Sequence, residues 1–248
     1  MALETRVVIF GDSYSISAEC DVDEDERPNG KTWADFIPEL IDIRAEQIKN
    51  FSTPGASAEE DLDEQLARFR SSRASRSAEA TNSGDNLSLS SATFVLFFGI
   101  NDCGQNTADR LGPIVDRIVD AAQSLFTRFG ARTFVFVDVP PTDRAPAAVR
   151  MECGDTVCGR VNAWNDSLRS KVAGWAESTA GTRAKTYLCS SHEAITSVLN
   201  NPEKYGFSKE DVAQEGGEIW LDDLHLTSAV HRILAERLVK DIPLLTSQ

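Results

Sequence analysis

Two short runs, Phe94-Val95-Leu96-Phe97-Phe98 and Phe134-Val135-Phe136-Val137, are apolar at every position. A strand with one wet face alternates apolar and polar residues, so a run without alternation needs cover on both faces. That requirement points to a parallel sheet set between two layers of helices. The rest of the chain agrees. Apolar runs over Arg6–Phe10, Gln47–Phe51, Thr93–Phe98 and Thr133–Val137, with a weaker one at Lys185–Cys189, predict the strands. The longer amphipathic stretches between them predict crossover helices over Thr32–Ile43, Ala58–Arg70, Asp109–Phe129, Val161–Ala176 and Ser228–Val239. In the last of these, Val230, Leu234 and Leu238 recur at helical spacing, and Thr227 or Ser228 can cap the start.

The chain has 248 residues, 41% of them hydrophobic, and no linker-like composition divides it, so a single domain over 1–248 is expected. Residues 71–91, rich in Ser, Arg, Ala and Asn, read as a polar surface insertion in the form of a solvated loop. A formal net charge of −14 argues against nucleic acid or an anionic membrane as partner. It suits a neutral or cationic small-molecule substrate. No window approaches ~18 consecutive apolar residues, so no membrane span is expected. Met1–Arg6 lead straight into the first strand. With no visible leader, the reading is cytoplasmic, or secreted if a leader has been removed.

The cysteines are Cys20, Cys103, Cys153, Cys158 and Cys189. Cys153 and Cys158 flank a Gly-Asp-Thr-Val segment that reads as a short loop, which fits either a local disulfide or two free thiols. Asn50, Asn86 and Asn165 each open a glycosylation sequon. In the acidic stretch Glu19–Glu26, the series Asp21-x-Asp23-x-Asp25 resembles the opening of a calcium loop. Glu26, however, sits where the sharp-turn glycine is needed and Thr32 where the bidentate glutamate is needed, so calcium is not expected. The cysteines and histidines lack zinc spacing and no Gly-rich phosphate loop is present. Neither a metal nor a cofactor is expected.

Chemistry enters with Gly11-Asp12-Ser13, directly after the run Val7–Phe10. A strand ending in such a turn holds the serine hydroxyl at the carboxyl edge of the sheet, where open α/β folds build their sites. Serine is a poor nucleophile until a base takes its proton. Of the three histidines, His225 is the candidate, because Asp222, three residues earlier, can fix its tautomer and stabilise the imidazolium. Asp223 is the neighbouring competitor, expected to point to solvent. His231 reads as a surface or capping residue and His192 as a helix-start residue. Acyl transfer also needs donors where the oxyanion forms. Gly55, in Ser52-Thr53-Pro54-Gly55-Ala56-Ser57, can offer a bare backbone N–H, and Asn101, after Gly99, a side-chain amide.

The four blocks run in order along nearly the whole chain: Gly-Asp-Ser at 11–13, Gly55, Gly-Ile-Asn-Asp at 99–102 and Asp-x-x-His at 222–225. In that order they resemble the GDSL esterases, also called SGNH hydrolases. The resemblance implies a three-layer α/β/α sandwich with a central, mostly parallel five-stranded sheet of flavodoxin-like type. It implies Ser13 as nucleophile, His225 as base, Asp222 as its partner, and an oxyanion hole of the Ser13 and Gly55 N–H groups with the Asn101 side chain. Thr32-Trp33-Ala34-Asp35, Phe98–Asp102 and Val139–Pro146 are similar to the fungal acetylesterase branch. That likeness implies removal of short acyl groups, above all acetyl, from sugar or oligosaccharide esters through an acyl-enzyme. The competing readings are a lysophospholipase or thioesterase on the same scaffold, and a binding module that has lost activity.

Overall fold

Strands β1 (Val7–Gly11), β2 (Ile48–Asn50), β3 (Thr93–Phe97), β4 (Thr133–Val137) and β5 (Lys185–Cys189) form one sheet in the computed structural model. The structure describes residues 6–18, 20, 21, 29–80 and 89–242, without the side chains of 75–80. The spatial order is β2-β1-β3-β4-β5, and all four pairings are parallel, where a mostly parallel sheet was expected. The described helices are α1 (Trp33–Leu40), α2 (Leu62–Ala80), α3 (Ile100–Gln105), α4 (Ala108–Phe129), α5 (Pro146–Arg150), α6 (Gly154–Thr179), α7 (Ser191–Asn200) and α8 (Ser228–Asp241).

Successive strand side chains point to opposite faces, so Phe94 and Val95 look into different layers. On one face, Phe69 of α2 meets Phe10 and Phe94 edge-on, and Trp175 of α6 meets Phe134 at 4.9 Å between ring centroids. On the other, Trp33 of α1 packs on Phe97, while Ile37 and Leu238 share an apolar seam with Val7, Val95 and Val135. Every residue of β3 and β4 is therefore buried, as their unbroken apolar runs require. Strand β5 is the half-exposed edge, which accounts for its weaker pattern.

Helix α2 runs on to Ala80, so residues 71–80 are helical rather than a loop. They hold no Gly or Pro, and Ala and Arg are good helix formers. Residues 81–88 lie outside the described residues, as does most of the acidic stretch 19–26. Helix α6 begins at Gly154, so the segment between Cys153 and Cys158 is helical and not a loop. Both thiols are free. Two of the sequon asparagines are buried: Asn50 donates to Ser15 O and Ser17 Oγ, and Asn165 exchanges bonds with both backbone groups of Val139. In the folded chain neither amide is open to glycosylation; Asn86 lies outside the described residues. Helices α3 and α5 are too short to show a clear 3.6-residue period, and α7 is signalled only at its start, by His192.

The strand order places a crevice. From β1 the chain moves outward to β2 and then crosses back to β3, so the loops beyond β1 and β3 diverge at the carboxyl edge. Ser13 follows β1, Gly55 follows β2 and Asn101 follows β3.

Candidate active site

After Gly11 the chain enters a single 3-10 turn, Ser13–Ser15, capped by Asp12, whose Oδ1 accepts the Tyr14 N–H at 3.0 Å. The turn is gripped from two sides. Ser15 Oγ accepts the Trp33 indole N–H at 3.1 Å, and the Ser15 carbonyl accepts Asn50 Nδ2 at 2.6 Å. Ser13, partly exposed, is the residue this rigid turn presents to the crevice.

The imidazole of His225 comes from a self-templating loop. Asp222 Oδ1 accepts the N–H groups of Leu224 and His225, at 2.8 and 2.6 Å, and Oδ2 takes the imidazole Nδ1 at 2.8 Å. The three-residue spacing allows one carboxylate to shape the turn and hold the ring together. The Leu221 N–H closes the loop on His225 O at 2.8 Å, beside an antiparallel bridge between Trp220 and Leu226. Burial by itself raises the Asp222 carboxyl. The N–H groups of His225 and Leu224, with the imidazole, outweigh it and hold the acid below its usual range. Asp222 is thus held as a carboxylate beside the His225 ring. The remaining ring atom, Nε2, lies 2.9 Å from Ser13 Oγ. Asp223 does not simply face water: its Oδ2 pairs with Arg150 at 2.7 Å and its carbonyl accepts the Ala147 N–H, tying the loop to α5.

Asn101 stands in the first turn of α3, which starts after Gly99 at φ +120°. A Cβ at Gly99 would meet the Trp164 ring at 2.3 Å, so only glycine fits there. One N–H of the Asn101 amide is spent on Ala56 O at 2.9 Å, leaving the second for a ligand. Asp102 reinforces the link by accepting the N–H groups of Ala58 and Glu59 at 3.0 and 3.1 Å. Gly55, at φ +67°, turns the intervening loop. The N–H groups of Ser13 and Gly55 have no acceptor among the described residues. Gln65, wholly buried, was not foreseen: its Oε1 takes the Gly11 N–H at 3.0 Å, and its Nε2 donates to Gly11 O at 2.7 Å and Thr53 Oγ1 at 3.1 Å. It sews the end of β1 to the Gly55 loop.

Asp12 is fully buried, and its Oδ2 has no partner among the described residues. Burial, only partly offset by the Tyr14 N–H and aided by nearby Asp102, pushes its carboxyl up to about 7. The folded chain therefore binds this proton more tightly than the unfolded one between roughly pH 4 and 7, and stability drawn from Asp12 falls as pH rises through that window. Asp12→Asn keeps an acceptor for Tyr14 and removes the titration. Its stability relative to wild type should be near parity at pH 4 and higher by a few kcal/mol at pH 8, at about 1.4 kcal/mol per tenfold in protonation. Urea unfolding at both pH values measures this; a difference independent of pH would refute it.

His231 is not a surface residue. It is buried against the edge of Tyr14, 5.5 Å between ring centroids, and burial, with His225 nearby, lowers its imidazole to about 3. His192 does start α7, its N–H donating to Asp138 Oδ1 at 2.9 Å. Among the described residues, no three His, Cys, Asp or Glu side chains converge on a metal position, and no helix is long and apolar enough to cross a membrane.

An acetylesterase of Thermothelomyces thermophilus is 24% identical to this chain over 228 residues, covering 84% of the chain and 73% of that protein. Among solved structures, a protein from Lactobacillus plantarum superposes with a TM-score of 0.56 at 13% identity, over 96% of this chain and 95% of its own. Phospholipase A1 from Streptomyces albidoflavus does so with a TM-score of 0.52 at 14% identity, over 97% and 100%. These two likenesses support the shared three-layer fold. The profile of the GDSL-like lipase/acylhydrolase family matches residues 7–238. With nearly all of its length inside that match, the chain belongs to the GDSL-like lipase/acylhydrolase family and is a carboxylester hydrolase.

Proposed function

We propose that Ser13, His225 and Asp222 are its catalytic residues and that it removes short acyl groups, above all acetyl, from sugar or oligosaccharide esters. The observation that carries the first part is the unbroken line from Ser13 Oγ through His225 to Asp222, at 2.9 and 2.8 Å. Nε2 accepts the hydroxyl proton as Oγ bonds to the ester carbon, and the carbonyl electrons move onto oxygen. Asp222 holds the imidazolium meanwhile. The Ser13 and Gly55 N–H groups and the second Asn101 N–H face the developing oxyanion. Collapse breaks the bond to the leaving alcohol, which takes the proton from Nε2. Water, deprotonated by His225, then releases the carboxylate and restores Ser13.

The acetyl reading is supported by the T. thermophilus relative, named as an acetylesterase, and by the segments similar to that branch. One observation favours a longer-chain reading. Val149 and Met151, 54% and 70% exposed, are apolar side chains on and just beyond α5, which is clamped to the Asp222 loop through Arg150 and Ala147. A series of 4-nitrophenyl esters separates the two. A long apolar pocket would add about 0.8 kcal/mol per buried methylene, so kcat/KM would climb steeply with chain length. The expected result is the reverse, with acetyl and propionyl fastest and octanoyl poor. Preference for octanoyl would move the lysophospholipase or thioesterase reading into first place.

A further inference from the structure

We infer that Tyr14 is a positioning residue that holds the His225 loop in line with Ser13, an inference that rests on the Ser13–His225 reading above. Tyr14 is joined covalently to the nucleophile and is 1% exposed. Its O–H donates to the carbonyl of Leu224, the residue before the base, at 2.7 Å across 210 positions of sequence. Its ring lies against the imidazole of His225, 5.9 Å between centroids at 40°. Its other neighbours are rigid: the edge contacts with buried His231 and with Phe97 of β3 fix the ring, and the N–H to Asp12 fixes the backbone.

The reason this arrangement matters lies in what the Asp222 carboxylate cannot do. Its bonds to Leu224, His225 and the imidazole set the shape of the loop but not its distance from β1. Toward α5 the loop is held by Arg150 and Ala147. Toward the nucleophile, among the described residues, the Tyr14–Leu224 bond is the hydrogen bond besides Ser13–His225 that joins the serine turn to the base loop. A buried phenol needs an acceptor, and this one finds it in the segment whose placement decides whether Nε2 reaches Oγ. Burial, with the carboxylates of Asp12 and Asp222 nearby, pushes the phenol well up from its ordinary value, so it stays a donor throughout the working pH range. A displacement of the base by a fraction of an ångström is enough to weaken proton transfer, because catalytic geometry tolerates little error.

Tyr14→Phe tests the inference by keeping the ring and removing the donor. The expected result is a kcat about tenfold lower with KM unchanged, and fluorophosphonate labelling of Ser13 slowed by the same factor. In a His225→Ala background, Tyr14→Phe should remove nothing further from the residual rate, because its effect passes through the imidazole. Two results would overturn it: wild-type kcat and labelling with only a lowered melting temperature, which is a core tyrosine, or losses that multiply in the His225→Ala background. A wild type that neither hydrolyses esters nor takes the label would sink the Ser13–His225 reading, and this inference with it.

Discussion

Ser13→Ala is expected to lose about 10⁶ in kcat, the scale on which a serine hydrolase depends on its nucleophile, while unfolding close to wild type. The fold should tolerate the change because the turn is held by other atoms: Asp12 at its start, Trp33 and Asn50 on Ser15. The Ser13 hydroxyl contributes its bond to Nε2 and little else. His225→Ala should fall nearly as far, and the double variant no further than either single one, since nucleophile and base act as a unit. His192→Ala should retain most activity, its backbone rather than its ring being what caps onto Asp138. Steady-state kinetics with a chromogenic acetyl ester, alongside fluorophosphonate labelling and peptide mapping, checks all of this. Label on another serine, or a Ser13→Ala enzyme within tenfold of wild type, would end the assignment.

Asn101→Ala is expected to lose about 10²–10³ in kcat with little change in KM, because a preorganised donor acts on the oxyanion rather than on the bound ester. Asn101→Asp should be worse than alanine. A carboxylate in that position has no N–H to offer and sets a negative charge against the one that develops. The side chain also holds Ala56 O, so its loss frees one tether of the Gly55 loop. The Asp102 bonds to Ala58 and Glu59 remain and limit that movement. A KM that rises while kcat holds would make Asn101 a substrate-binding residue instead.

Much of this architecture was legible because it is written in local patterns. Strands β4 and β5 have the bounds their residues suggest, and β3 differs by the single residue Phe98. Asp222 and His225 could be paired because a three-residue spacing is itself the contact. What escaped reading depends on partners far along the chain. Gln65 looks like any polar helix residue; nothing near it signals that it ends wholly buried between Gly11 and Thr53. Asn50 and Asn165 match a sequon, yet their amides are consumed by backbone at Ser15 and Val139. His231 is different, since the signal was present. It stands at helical spacing from Leu234 and Leu238, on the face that packs inward, and its polarity outweighed its position. Residues 71–80 were likewise misread from polarity alone, although they lack the breakers that end a helix.

The bond between Ser13 and His225 spans 212 positions of sequence, and that distance sets a schedule. On a growing chain Ser13 emerges 212 positions ahead of His225. Until the two meet, Ser13 is an ordinary hydroxyl without the His225 ring beside it. With Ser13 and His225 as the proposed catalytic pair, ester hydrolysis waits until the 221–225 loop has been made and docked. His225 and Asp222, by contrast, sit within one short loop and can pair as soon as it is made. On refolding, recovery of activity should therefore lag behind local helix formation and report the docking of the 221–225 loop onto the edge of β1, the most non-local contact the site requires.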